Sequence, residues 1–237
     1  MAERMQNRIQ YKIFDCLIVL LLPLLFLCTS VRIEMNSPGL YTRGFDLYHV
    51  SETTGLDREQ LDRIVERLIE YFNSQAVSPQ MQVTKTDGTV FPLFHKYELI
   101  HLADVKGLFD MNSLLQSISL LVLVTLTAFA ASQHRQYALL LSLRNGALLS
   151  LAGLVCGAVL FVVDFGGMFV NFHLLLFDNP FWQLDPQMDY LVMLFPFQFW
   201  QDMFMFAGAM TGGLSLIALG ISSLSLRPAD RFLQHLT

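Results

Sequence analysis

An all-α membrane protein is expected, with four transmembrane helices and a small α+β extracytoplasmic cap between the first and the second. Three observations predict it. The 237 residues are 54 % hydrophobic and only 15 % charged, with a mean hydropathy of +0.47, too apolar for an ordinary soluble domain. Apolar runs long enough to span a bilayer recur at 13–31, 113–133, 146–163 and 204–226. Most of the charges, with several turn signals, are gathered between the first two runs, in 32–112.

The first run follows Arg4, Arg8 and Lys12 and is interrupted only by Asp15. Its end, LFLCTS at 25–30, lacks the small residues of a cleavage site, and Leu27 before Cys28 does not fit a lipoprotein signal. Residues 1–32 therefore read as a cytoplasmic N-terminus and an uncleaved helix. In the cap, 33–112, the group Thr54, Gly55 and Asp57 marks a helix start. Leu61, Ile64, Val65, Leu68, Ile69 and Phe72 then follow the 3.6-residue period of an amphipathic helix. Residues 81–85 and 89–94 flank Asp87-Gly88, which predicts a short hairpin.

The remainder, 113–237, carries the other three spans. The second, 113–133, holds no charged residue, and the third, 146–163, ends at Asp164. The apolar run continues to Phe177, too far for one straight helix, so a break is expected near Gly166-Gly167. Arg227 and Arg231 follow the fourth span. Basic residues mark the N-terminus, the 134–144 connection (Arg135, Arg144) and the tail, whereas 170–202 has none. Both termini are then cytoplasmic, and the cap and the 170–202 segment share the extracytoplasmic side.

A net charge of -5 without a basic stripe argues against nucleic acid. Cys16, Cys28 and Cys156 all lie within apolar runs, as packing residues rather than as disulfide or metal ligands. Two segments hold the candidate chemistry. In FHKYELIHLADVK, 94–106, helical spacing puts Glu98, His101 and Asp104 on one side, with an imidazole between two carboxylates at the mouth of a span. The aromatic segment 170–202 contains His173 and is dense in rings, among them Phe172, Trp182 and Tyr190. Pro180, Pro186 and Pro196 exclude one continuous helix. A plain interfacial aromatic belt is the simpler reading; a folded-back, partly dry pocket is the functional one.

Neither histidine has a serine or cysteine in a nucleophile setting, so a covalent acyl-enzyme is not indicated. A histidine pair suits general-base catalysis with stabilisation of an oxyanion, and Glu98 or Asp104 is placed to orient His101. His49, His95, His134 and His235 read as surface residues. Asp164, Asp178, Asp185, Asp189 and Asp202 read as turn and cap residues or as proton-relay groups. Glu98-x-x-His101 is half of a di-metal helix motif whose second half is missing, so no metal is expected.

Four spans with a cap between the first two, ELIHLADVK leading into the second span, and FHLLLF followed by FWQLDP and an aromatic run resemble the lipoprotein intramolecular transacylases of Gram-positive bacteria. The resemblance covers essentially the whole chain. It implies an enzyme of the bacterial cell membrane with no metal, cofactor or covalent intermediate, whose two histidines match His101 and His173. Its substrate is a diacylated lipoprotein, from which an acyl chain moves from the sn-2 position of the diacylglyceryl group to the α-amino group of the N-terminal cysteine. Lyso-form lipoprotein is the product. His101 is given the base role and His173 the oxyanion role, or the reverse. Glu98, Asp104, Lys106 and Asn171 are candidates for orienting groups or substrate contacts, and Phe172, Trp182 and Tyr190 for rings that bury the acyl chains among membrane lipid. A non-catalytic membrane subunit or sensor whose cap binds a protein is the alternative; a metal-dependent hydrolase is a third reading, and a transporter fits least.

Overall fold

The computed structural model describes residues 2–74 and 77–234; the side chains of Arg4, Arg8, Arg227 and Arg231, and the whole of His235, lie outside the described residues. Four long helices carry the chain: α1 (Ala2–Met35), α5 (Lys96–Ser132), α6 (Gln136–Leu176) and α8 (Phe197–Gln234). Each contains a stretch long and apolar enough to cross a membrane. Their large apolar side chains, such as Leu121, Val155 and Ile217, point outward, as lipid-facing residues do. Between α1 and α5 lie α2 (Pro38–Leu47), α3 (Val50–Thr54), α4 (Arg58–Asn73), β1 (Gln82–Thr84) and β2 (Val90–Pro92), and α7 (Tyr190–Leu194) precedes α8.

The break in α6 falls at Asp164, whose φ of -160° and ψ of 79° leave the helical region, rather than at Gly166-Gly167. The carboxylate supplies the reason: Oδ1 of Asp164 accepts the backbone N–H of Gly167 at 2.7 Å and caps the helical stretch 165–176. A Cβ at Gly167 would run into that carboxylate. The glycine makes room for the cap and the aspartate makes the break.

The chain divides into two compact units. The first comprises Met1–Ser30, Ser113–Val162 and Ala207–Thr237. Ile18, Leu22, Leu123 and Leu126 form a core there, and Gly146 lets a backbone come close, since a Cβ would meet Leu22 and the Val19 carbonyl at 3.1 and 3.2 Å. Several of its buried hydroxyls are paired, whereas that of Ser119 has no partner among the described residues. The Thr211 hydroxyl donates to Ser30 at 3.0 Å and Ser215 donates to Ser150 at 2.7 Å, as polar groups between apolar helices require. Arg135 donates to Asp15 at 2.9 Å and lies over the Tyr11 ring.

The second unit comprises Val31–Asn112 and Val163–Phe206. Asp57 caps α4 by accepting the N–H of Gln60 at 2.8 Å. The face of Leu61, Ile64, Val65 and Leu68 is buried with Val83 and Leu93 of the hairpin segment. Gln60 is also buried, and its amide exchanges two 2.6 Å hydrogen bonds with the backbone of Thr84, which fastens β1 to α4. The strands pair antiparallel with Val83 opposite Phe91, and Gly88 takes a φ of 86° in the turn. Helices α2 and α3 were not anticipated. Helix α2 buries Tyr41 and Phe45 against Phe195, with Phe199 beside Tyr41, and α3 buries Val50 and Thr54.

Candidate active site

The second unit holds both singled-out histidines. His101 is in the second turn of α5, and His173 is near the end of the helical stretch that restarts after Asp164. Both are buried, each 7 % exposed, and their ring centroids are 5.9 Å apart with a 34° tilt. Phe177 stands edge-on to His101 at 5.1 Å and lies 5.5 Å from His173, which is also flanked by Phe169 at 4.3 Å, Trp182 at 4.9 Å and Phe172 at 5.5 Å. Such rings exclude water and lower the local dielectric, which strengthens every polar interaction inside.

Helix geometry fixes the tautomer of His173. Its Nδ1 lies 2.6 Å from the carbonyl oxygen of Phe169, one turn upstream, and a carbonyl only accepts, so Nδ1 carries the proton. Nε2 is then the nitrogen with a free lone pair. His101 differs: its Nδ1 is buried and has no hydrogen-bond partner among the described residues. The two imidazoles are thus unequal in chemistry, one with a committed N–H and one without.

The remaining sequence candidates separate into three groups. Phe172 and Trp182 line the histidines, as described. Asp104 accepts a hydrogen bond at 2.8 Å from Asn179, which precedes the Pro180-Phe181-Trp182 turn, so it holds the segment carrying Trp182 against α5. Glu98 is completely buried, but its hydrogen bonds go elsewhere than His101: Oε2 accepts the N–H of His95 and Oε1 the N–H of Leu191, both at 2.7 Å. Glu98 is the third residue after His95, and an acid there reaches back to the first free N–H of the helix as in a capping box. That local bond takes the carboxylate that helical spacing alone assigns to the imidazole.

Lys106, Asn171 and Tyr190 also act away from the histidine rings. The Lys106 ammonium donates to the carbonyls of Tyr71 and Ser74 at the end of α4 and lies over the Tyr71 ring, as a cation at a helix C-terminus does. Burial raises the pKa of that phenol, and the nearby Asp110 and Asp104 raise it further. Asn171 returns to the Gly167 carbonyl at 2.8 Å on its own helix. Tyr190 packs on Phe91 of β2 at 5.0 Å, with its hydroxyl 3.5 Å from the Thr54 carbonyl.

Phe169 and Asn179 belong to the site and were not singled out in the sequence. Phe169 has a retrospective signal, since it precedes His173 by four residues, the spacing that stacks side chains on a helix. Asn179 has none, because its partner is 75 residues away. Glu34, at the end of α1, is also buried, and its Oε1 has no partner among the described residues.

The backbone resembles solved structures of one protein. The membrane-integral lipoprotein intramolecular transacylase Lit from Bacillus cereus superposes with a TM-score of 0.79 at 16 % identity over 94 % of this chain and 98 % of that one. A histidine-to-arginine variant gives 0.76 at 15 % identity over 97 % and 98 %, and a histidine-to-alanine variant gives 0.77 at 15 % over 98 % and 100 %. At these identities the likeness shows a shared fold. No curated protein sequence matches. The family model described as lipoprotein intramolecular transacylase Lit matches residues 16–200, most of the chain, and this multi-pass membrane protein belongs to that family.

Proposed function

We propose that this chain catalyses acyl transfer within one lipoprotein molecule, from the sn-2 oxygen of the diacylglyceryl group to the α-amino group of the lipidated N-terminal cysteine. The observation that carries the reading is the pair of buried histidines 5.9 Å apart within one shell of aromatic rings, of which only His173 has its N–H committed to the backbone.

His173 acts as the base through Nε2, and His101 supplies an N–H to the oxyanion. This reverses the assignment drawn from the carboxylates flanking His101, because Glu98 bonds to His95 and Leu191. The neutral amine attacks the ester carbonyl carbon as Nε2 removes its proton. The tetrahedral oxyanion accepts the hydrogen bond from His101. On collapse the bond to the sn-2 oxygen breaks and the proton held on His173 passes to that oxygen, leaving an amide and a free hydroxyl with no water consumed. Both reacting groups belong to one substrate, so holding it bent is worth a large part of the barrier. Phe169, Phe172, Phe177 and Trp182 keep water, the competing nucleophile, away. The termini face the cytoplasm and the two histidines the opposite side, as the distribution of lysine and arginine implies.

Mass spectrometry of a lipoprotein N-terminus in cells producing His101→Ala or His173→Ala tests the proposal. Loss of the N-acyl, lyso-form product in each variant supports it, and undiminished product in both sinks it.

A further inference from the structure

One turn upstream of His101 a separate group of side chains converges. Nδ1 of His95 lies 3.1 Å from Oε2 of Glu98 and 3.3 Å from Oδ1 of Asp189, and the three ligating atoms fall within 4.8 Å of one another. The Tyr97 hydroxyl bonds the same Oδ1 and lies 3.2 Å from the same imidazole nitrogen. The Glu98 side chain is 0 % exposed and that of Asp189 4 %, whereas that of His95 is 50 % exposed.

Charge is the first reason to look for a ligand. Among the described residues neither carboxylate pairs with a lysine or arginine, and His95 is their shared ion-pair partner. Two buried carboxylates need compensating charge, and one imidazolium supplies half of it. A divalent cation bound by both carboxylates and a neutral imidazole brings the sum to zero.

Spacing is the second. A first-row divalent ion holds nitrogen and oxygen ligands at roughly 2.0–2.2 Å, so a tetrahedral arrangement separates neighbouring ligands by roughly 3.3–3.5 Å. The two His95 separations, 3.1 and 3.3 Å, are close to that edge, and the two carboxylate atoms lie within 4.8 Å of each other. Both carboxylates are further held from behind. Glu98 accepts the N–H groups of His95 and Leu191, and Oδ2 of Asp189 accepts the N–H of Asp185 at 2.7 Å, the outer bonds that orient ligating carboxylates. His95 is half exposed, so the group can be reached from outside, and the Tyr97 hydroxyl stands beside the ligating atoms.

We propose that His95, Glu98 and Asp189 form a structural site for a divalent first-row transition ion, with Zn²⁺ as its probe, that ties the start of α5 to the segment carrying Asp189. The acyl-transfer chemistry has no need of it, and the ligand set excludes His101 although Glu98-x-x-His101 is the spacing that looks ligand-like in the sequence.

The experiment uses the full chain purified in detergent without chelator, with metal analysis and thermal unfolding in the presence and absence of Zn²⁺. About one bound equivalent is expected, with a Tm rise of about 3–8 °C that chelator reverses. His95→Ala abolishes the rise. His49→Ala, which removes the exposed His49–Glu52 pair 3.4 Å apart, retains it. No bound zinc together with no shift overturns the site, as does a shift that persists in His95→Ala. Should His95→Ala fail to fold, Co²⁺ added to the unaltered protein decides: a tetrahedral absorption band supports the site, and its absence overturns it.

Discussion

The imidazole of His173 donates its Nδ1–H to the carbonyl of Phe169, 2.6 Å away on the same helix. The bond sets ring orientation and tautomer together and leaves Nε2 as the only position for chemistry. His173→Asn and His173→Gln separate the two roles. The Asn amide can keep the Phe169 bond while losing Nε2. The expected outcome for His173→Asn is a fall in acyl transfer of roughly 10²–10⁴-fold, with Tm close to that of the unaltered protein. In His173→Gln, which has no nitrogen near the Nδ1 position, both activity and Tm fall. Product formation and thermal unfolding on the same preparations check this.

Glu98 satisfies two backbone donors from inside a dry core. Glu98→Ala leaves both N–H groups unpaired, and a loss of about 2–5 kcal/mol is expected. Glu98→Gln keeps one acceptor oxygen and falls between. Denaturant unfolding ranks the three proteins, and an alanine variant as stable as the parent contradicts the assignment.

Gly44 allows α2 to sit on an aromatic ring. A Cβ there would come 2.6 and 2.8 Å from two carbons of Phe199, which is 2 % exposed and packed by Tyr41, Phe195 and Trp200. Gly44→Ala should cost about 1–3 kcal/mol, and the double variant Gly44→Ala with Phe199→Leu should recover part of it.

Asp164 holds the N–H of Gly167. Asp164→Ala removes the cap from the stretch leading to His173 and should cost about 1 kcal/mol, whereas Asp164→Asn should be close to neutral. A Tm series on the two variants, read beside their activity, checks it.

Glu34 has a buried carboxylate oxygen with no partner among the described residues. Replacing such a group by a neutral one of similar shape removes a desolvation cost, so Glu34→Gln is expected to raise stability by about 1 kcal/mol or more, read as a higher Tm.

Much of this architecture was legible because it follows from periodicity and punctuation. The apolar runs gave four long helices, Leu61 to Phe72 at helical period gave α4, and Asp87-Gly88 gave the hairpin. Helices α2 and α3 escaped because 10 and 5 residues are too few for a period to stand out. The break at Asp164 was placed two residues late, because a glycine pair is the more obvious flexible point while an aspartate cap is the stronger physical cause.

The site was legible only in part. Helical spacing put Glu98 beside His101 in angle, but spacing does not decide which neighbour a carboxylate bonds, and at a helix start the free backbone N–H competes best. Aromatic density marked 170–202 without sorting its rings. Trp182 came to His173 and Tyr190 to the hairpin, a partition made by Asn179, Glu98 and Thr54 through contacts distant in sequence.

The hairpin runs almost directly into the helix that carries His101, with two residues between Pro92 and His95. Each residue advances an α-helix by about 100°, so one residue inserted between Glu98 and His101 would swing the imidazole to a different side of α5. A residue added at the Asp87-Gly88 turn would lengthen an exposed tip and leave that angle alone. The turn can therefore take a change in length that the stretch between Glu98 and His101 cannot take without moving the imidazole.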